Sequence, residues 1–465
     1  MKLSRYSILI AAGLALLQVG CGSVATKTGF YEPIVADLQA GRYDTAAVAF
    51  DSEKMRGRYG DKDRFVYFMD AGLAHHYAGH FVPSNQKLEL AEFAAEELFT
   101  KSISRAAASM VLNDNVLEYA GEDYEIIYSN LIKAMNYLLL DDFDGAFVEI
   151  RRANQKLNVL EDKYADAARE LNTGVAKDSA QFDINYEAKE VKFYNDAFAR
   201  YLSMHMYAAD GKWDDARIDY NYLVDAFQSQ PHIYPFPMPE VSYEEDSGKA
   251  ILSVVALAGL SPVKEALNLR LRTDKQLNLV QVLYTDDKDE NTVFWQVPAK
   301  ISEDYYFKFA IPKIVDRPTF IHSIKVYNDL HLLGELQLIE DLGPVARETF
   351  EAKKWLIFIR TLLRALAKGL AAHELKTELD TGGLAGWLKK AAVDVATDFL
   401  ENADLRCSRL LPGKIYVGDI QIEPGTYDLT IEFLDANGDL VSRQNVNGYT
   451  VRDGEFNLVQ AISLN

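Results

Sequence analysis

The two cysteines are the first residues to consider, because a thiol can be acylated, oxidised or used as a nucleophile. Cys21 follows a segment that starts with Lys2 and Arg5 and continues as an apolar run from Ile8 to Leu17. This order of basic, apolar and small residues is typical of a secretory signal peptide, and the run is too short for a permanent membrane span. We therefore predict a signal peptide over residues 1–20.

The residues around Cys21 resemble the lipobox of bacterial lipoproteins, in which this cysteine carries acyl chains. Gln18 departs from the pattern, because an aliphatic residue is usual at that place. The resemblance implies a lipid anchor on Cys21, with residues 21–29 as a lipidated tether. Gly22 resembles the signal that sorts such proteins to the outer membrane, facing either the periplasm or the cell surface. Cleavage near Gly20 without lipidation, which would release a periplasmic protein, is the alternative.

Histidines are close together at positions 75, 76 and 80. His76 and His80 are four residues apart on a predicted helix, a spacing at which two imidazoles can bind one metal ion. A zinc hydrolase of this kind also needs a glutamate after the first histidine, and Tyr77 stands there. We therefore interpret these histidines as packing residues and predict no metal site and no cofactor.

The sequence also lacks the common signatures of catalysis. It contains no G-x-S-x-G nucleophile elbow and no glycine-rich phosphate loop between a strand and a helix. The acidic pairs Asp141-Asp142 and Asp214-Asp215 lie at predicted helix ends, where carboxylates stabilise the positive end of the helix dipole. We therefore predict no catalytic residue and a protein that is not an enzyme.

A predicted helix from Lys353 to Leu370 is basic on one face. At about 100° per residue, Arg360, Arg364 and Lys368 share one arc, whereas Trp355 belongs to an apolar arc. The basic arc could contact anionic lipid head groups or an acidic partner. The alternative is that the helix packs on its own sheet or on a second helix of a hairpin, with its charges solvated.

Composition limits the classes of partner. With 465 residues, of which 49% are hydrophobic, the chain is long enough for two to four domains with apolar cores. Its net charge of −20 argues against nucleic acid as a partner, because phosphate binding needs a basic surface. We interpret Cys407 as a small buried residue, so that the stability of the chain comes from core burial rather than from disulfides.

Residues 30–230 have the apolar spacing of helices, and one local pattern recurs in them. An aromatic residue is followed three places later by a small one, with the aromatic residues at Tyr43, Phe81, Phe143 and Trp213. The pattern predicts a turn between two helices, with the aromatic side chain packed between them. It resembles tetratricopeptide-like (TPR-like) repeats, although the intervals between copies differ from the regular 34 residues. The resemblance implies an all-helical repeat domain whose concave face binds a peptide or protein.

A proline-rich segment ends the helical region, and strands follow it. We predict a β-rich domain over residues 231–344, a helical hairpin over 345–404 and a small β-sandwich-like module over 405–465. In that module Tyr427 to Phe433 alternates apolar and polar residues, as in a strand with one buried face. The predicted fold class is therefore α+β and multidomain, with a TPR-like region, a β-rich domain with a hairpin and a C-terminal module.

Over its whole length the chain resembles an uncharacterised group of bacterial TPR-like lipoproteins. The segments that carry this resemblance are Tyr137–Leu140, Val148–Asn154, Ala403–Arg406 and Leu411–Gly413. The resemblance implies the architecture described above and leaves the biochemical activity open.

These observations lead to two hypotheses on function. The first is a membrane-tethered, non-enzymatic scaffold or adaptor of the cell envelope that binds a protein partner through its helical domain. The alternative is a periplasmic or surface module that binds glycan or peptidoglycan through aromatic residues such as Trp295, Tyr305 and Tyr306.

Overall fold

The computed structural model describes residues 28–109, 118–160, 191–285, 291–298, 306–374 and 403–465, with a few isolated positions between them. Within these ranges the first half is helical, and a 3₁₀ turn at Asp61–Asp63 precedes the fourth helix. The helices of this half, labelled α1 to α9, are Thr28–Gln39, Tyr43–Asp51, Glu53–Arg56, Arg64–Tyr77, Phe81–Ser109, Asp123–Leu138, Phe143–Asn158, Ala197–Ala209 and Trp213–Ser229.

The described part of the second half contains two β-sheets and one long helix. Strands β1 to β7 are Ala250–Leu260, Val263–Asp274, Leu279–Thr285, Asn291–Pro298, Tyr306–Val315, Ser323–Asn328 and His331–Asp341. Helix α10, Leu342–Glu374, follows them. Strands β8 to β11 are Pro412–Ile422, Gly425–Leu434, Leu440–Val451 and Asn457–Ser463.

Turns of one geometry join α1 to α2, α4 to α5, α6 to α7 and α8 to α9. In the last of them Gly211 has a left-handed φ of 70°, its N–H donates to the Ala208 carbonyl, and the Lys212 N–H donates to the Tyr207 carbonyl. This pair of hydrogen bonds is the Schellman motif, which ends a helix. Gly41, Gly79 and Asp141 occupy the left-handed position in the other three turns. The next helix starts two residues after that position, at the aromatic residue of the recurring sequence pattern.

The predicted fold class is nevertheless wrong. The helices do not clearly form an all-helical repeat, and the C-terminal strands do not form a module of their own. Strands β8 to β11 join β1, β6 and β7 in one nearly closed sheet of seven strands, and a second sheet has four. The recurring pattern indicates a local turn and not a repeat array, because the Schellman motif depends on a few neighbouring residues only. A regular array also requires matching faces between successive hairpins, which this pattern does not encode.

The seven-stranded sheet has the order β10-β9-β6-β7-β8-β1-β11, with β1 and β11 parallel and the other pairs antiparallel. Strand β1 is buried along its whole length. Leu252 and Val254 face the inside of the curved sheet, whereas Val255 and Leu257 pack in the same core cluster as the helices. Because successive side chains of a strand point to opposite faces, β1 belongs to both cores and joins the helical half to the sheet.

The two edge strands, β10 and β11, lie side by side and are joined by side chains. The Gln444 Nε2 atom donates to the Gln460 carbonyl at 3.2 Å, and the Ile462 N–H donates to Gln444 Oε1 at 3.0 Å. The Tyr449 hydroxyl donates to the Leu458 carbonyl at 3.1 Å. These side-chain hydrogen bonds stand in place of the backbone hydrogen bonds of a paired strand. They satisfy backbone groups of the edge strands that would otherwise be free to pair with another strand.

The second sheet is antiparallel, with the order β4-β3-β2-β5. Helix α10 covers one face of it, since Phe358, Ile359 and Leu362 pack against Leu271 and Phe309. The helical segment predicted from residue 345 thus starts at Leu342 in the structure. The predicted break of the hairpin at 380–383 lies outside the described residues.

The turn geometry predicts the effect of one substitution. Gly211→Ala should lower the free energy of unfolding by about 1 kcal/mol, because a Cβ disfavours the left-handed backbone while meeting no other atom at this place. Urea unfolding measures the change. The matched control is Gly60→Ala, where φ is −76° and the added Cβ also has room, and it should shift stability by less than about half as much. Equal effects at the two glycines would contradict the assignment.

Candidate functional site

Three turns meet around a groove of about 610 Å³, called the turn groove below. They are the α6–α7 turn, the α8–α9 turn and the turn between β10 and β11. Each element contributes an aromatic ring, with Phe147 from α7, Tyr207 from α8 and Phe456 from the strand turn. The rings of Phe147 and Tyr207 are 4.8 Å apart. Both rings therefore offer apolar surface on one wall of the groove.

Charges of both signs surround these rings. The acidic residues are Asp141, Asp144, Asp210 and Glu455, and the basic ones are Arg151, Lys212 and Arg452. Four of these side chains form exposed ion pairs. Lys212 pairs with Asp210 at 2.6 Å, and Arg452 pairs with Glu455 at 2.9 Å. Exposed pairs contribute little to stability, so a ligand can exchange these partners at low cost.

A smaller groove continues on the other side of the β10–β11 turn. Gly454, Glu455 and Phe456 line both grooves, and Trp213 and Tyr243 line the smaller one. The Trp213 side chain is 52% exposed. The two grooves together form a surface of aromatic rings and charges, divided by one tight turn.

A buried histidine and aspartate lie beneath the smaller groove. The Asp419 carboxylate accepts hydrogen bonds from the Tyr201 and Ser253 hydroxyls at 2.8 and 2.9 Å and from the Ser242 N–H at 3.0 Å. His205 Nε2 lies 3.1 Å from the same carboxylate. The serine hydroxyl thus donates to the aspartate and not to the histidine, which differs from the relay of a serine hydrolase. This network anchors helix α8 to the sheet.

The four aromatic residues predicted at the repeat turns are placed in different surroundings. Phe143 and Trp213 line the two grooves. The Tyr43 hydroxyl donates to the Ile462 carbonyl at 3.0 Å, which attaches the second helix to β11. The Phe81 ring lies 6.1 Å from the ring of His76. The structure therefore brings two of the four to one surface.

The histidines of the α4–α5 turn are also separated. His76 is fully buried, and its Nδ1 donates to the Asn136 side-chain oxygen at 2.6 Å. Burial lowers the pKa of His76 to about 4, so the ring is neutral near pH 7. His80 lies beyond the helix end, next to His75. Over the described ranges, no group of three or more His, Cys, Asp and Glu side chains is arranged to hold a metal ion.

The residues proposed for membrane or partner contact lie on α10. The Trp355 ring stacks on Phe294 at 5.9 Å, and its indole N–H donates to Glu351 at 3.2 Å. The side chains of Arg360, Arg364 and Lys368, like Cys21 and residues 1–20, lie outside the described residues. Within the part of the chain that the structure describes, no helix combines the length and apolarity needed to cross a membrane.

Of the three aromatic residues named in the glycan hypothesis, the structure describes Trp295 and Tyr306. Trp295 lies edge-on against Phe358, 6.0 Å away, so it belongs to the contact between the second sheet and α10. Tyr306 is 59% exposed, and Tyr305 lies outside the described residues.

Residues 404–411 form a buried polar junction between the helices and the sheets, which the sequence did not predict. Arg406 donates to Asp404 at 2.8 and 2.7 Å and to Asp63 at 3.0 Å. The Ser408 hydroxyl donates to Asp70 at 2.6 Å. The alternation of Asp404 and Arg406 with apolar residues could have indicated it, since buried charges require partners.

Two carboxyl groups at this junction have raised pKa values. Burial raises the pKa of Glu125 to about 7 and that of Asp70 to about 6, although hydrogen bonds to both side chains oppose the shifts. Burial also raises the pKa of Glu122, but the charges of Lys264 and Lys353 outweigh this effect and lower it below its usual range. The pKa values of Glu122 and Glu125 thus shift in opposite directions, although both carboxyl groups are buried in one cluster.

Comparisons with known protein families, with curated proteins and with solved structures found no match.

The raised pKa of Asp70 predicts a pH-dependent stability. The folded chain keeps this proton up to about pH 6, whereas the unfolded chain loses it near pH 4, so stability falls as the pH rises between these values. Asp70→Asn removes this term, and relative to wild type it should gain on the order of 2 kcal/mol between pH 4 and pH 7. Urea unfolding over this pH range measures the gain.

The control is Leu330→Ala, which changes an exposed position and removes no ionisable group. Its stability relative to wild type should stay constant with pH. If the difference between Asp70→Asn and wild type is also constant, Asp70 keeps no proton in the folded state and the assignment is wrong.

Proposed function

We propose that this chain is a lipid-anchored, non-enzymatic scaffold or adaptor of the bacterial outer membrane that binds a segment of a partner protein in the turn groove. The observation that supports this proposal is the groove itself, in which three turns from the helical half and the sheet expose aromatic rings beside charges of both signs.

The chemistry of the groove suits a short protein segment. Aromatic residues and arginine are enriched in protein interfaces, and Phe147, Tyr207, Arg151 and Arg452 supply both types. The volume of about 610 Å³ is enough for a few side chains. A segment with acidic and basic residues would replace the exposed ion pair of Lys212 with Asp210. The bound segment would thus contact both halves of the molecule.

The anchor is tested by cell fractionation. Cys21→Ala should move the mature protein from the membrane to the soluble fraction, because the acyl chains would no longer be attached. Cys407→Ala is the matched control, since it removes the other of the two cysteines and should leave the protein on the membrane. A Cys21→Ala protein that stays on the membrane would contradict the lipid anchor and direct attention to the basic face of α10.

Partner binding is tested by photo-crosslinking in cells. A photoreactive phenylalanine derivative in place of Phe143 or Trp213 should crosslink one and the same protein, because both positions line the grooves. The control position is Leu330, which is 95% exposed in the β6–β7 turn outside both grooves. No crosslink from the grooves, or the same crosslink from Leu330, would contradict the proposed site.

A further inference from the structure

The Schellman motif at the α4–α5 turn brings two imidazoles together. In this motif the residue two places after the helix cap contacts the residue three places before the cap. At the α1–α2 turn these positions hold Arg42 and Asp37, which form an ion pair at 2.7 Å. At the α4–α5 turn they hold His80 and His75, since the His80 N–H donates to the His75 carbonyl at 2.9 Å. The backbone hydrogen bonds of the turn thus place His75 and His80 next to each other.

The outer nitrogens of both imidazoles face carboxylates. His75 Nε2 lies 3.1 Å from Asp51 Oδ2, and His80 Nε2 lies 3.3 Å from Asp44 Oδ1. The His75 contact is not aligned as a hydrogen bond and is therefore an electrostatic contact. Carboxylates in contact with the outer nitrogen are the usual partners of metal-binding histidines. Both histidines thus direct Nε2 to a carboxylate and Nδ1 to the other ring.

The two Nδ1 atoms face each other at 3.4 Å, within hydrogen-bonding distance, and the tautomers of the two rings decide which nitrogen donates. A metal ion that binds both nitrogens takes the place of the proton between them. Zinc–imidazole bonds of about 2.0–2.1 Å at a tetrahedral angle place two ligand nitrogens roughly 3.3 Å apart. The observed separation of the His75 and His80 nitrogens matches this value.

We propose that His75 and His80 bind one divalent transition-metal ion of the zinc class through their Nδ1 atoms. Imidazole nitrogens are preferred ligands of zinc, copper and nickel. Asp51 and Asp44 act on the outer nitrogens, an arrangement that fixes the tautomer and orientation of metal-binding histidines. Lys87 contacts the other oxygen of Asp51 at 3.1 Å and holds that carboxylate in place.

The pair is open on one side only. The side chain of His80 is 43% exposed, whereas that of His75 is 6% exposed. The ion is thus reached from solvent past His80. With two ligands from the described chain, its remaining positions are open to water or to a donor group of another molecule.

This pairing differs from the one that the sequence suggested. His76 and His80 are four residues apart, as on one helix face, but α4 ends at Tyr77 and the turn directs His80 towards His75. His76 points into the core towards Asn136. The metal site depends on the left-handed Gly79, which has a φ of 73°.

The test is a titration of the full chain, prepared without a polyhistidine tag, with Zn²⁺ in competition with a chromogenic chelator. Wild type should bind one ion that His80→Ala loses, with a decrease in affinity of at least tenfold. His331→Ala is the matched control, since it removes an exposed histidine at the start of β7 and should bind as wild type does. Asp44→Asn should weaken binding about tenfold, because it removes only the contact to the outer nitrogen.

Folding of each variant is checked by its thermal transition without metal, which should match that of wild type because His80 and Asp44 are exposed. Absence of zinc binding by wild type would overturn the proposal and indicate that the two nitrogens share a proton instead. Equal zinc affinity of wild type and His80→Ala would overturn it as well, since the ion would then be bound elsewhere.

Discussion

The structure depends on the burial of Arg406 between the helices and the sheets. Its guanidinium group is almost fully buried and is held by Asp404 of its own segment and by Asp63 before helix α4. Residues 404–411 are bonded to the helical side by Asp70 and to the sheet side by Arg317, which donates to the Arg409 carbonyl at 2.8 Å. One irregular segment therefore fixes both halves relative to each other.

The charged groups at this junction specify position more than they add stability. Desolvation of buried ions offsets most of their attraction, whereas removal of one partner leaves a charge without compensation and typically costs about 3–5 kcal/mol. Glu122 is paired with Lys264 from β2 and Lys353 from α10, so a displaced element would leave a buried charge unpaired. These ion pairs thereby fix the position of the second sheet and α10 relative to α6, which begins beside Glu122.

The sequence predicted local structure better than long-range structure. It identified the turn before Phe143 and the alternating strand around Leu429, because each depends on a few neighbouring residues. It did not predict that β1 lies between β8 and β11, since nothing local in an apolar run specifies partners 152 to 205 residues away. For the candidate site, Phe143 and Trp213 were named as packing residues, but their proximity to Phe456 depends on the fold of the whole chain.

The four Schellman turns have one backbone geometry and differ in the side chains that this geometry brings together. Asp37 and Arg42 form an ion pair, whereas Tyr207 and Lys212 line the turn groove. His75 and His80 occupy the same two positions and bring two ring nitrogens together. Because the hydrogen bonds of the motif need no particular side chain at either position, the chemistry there is free to vary while the turn persists. The same turn geometry thus places an ion pair at one turn, part of the groove wall at another and two adjacent imidazole nitrogens at a third.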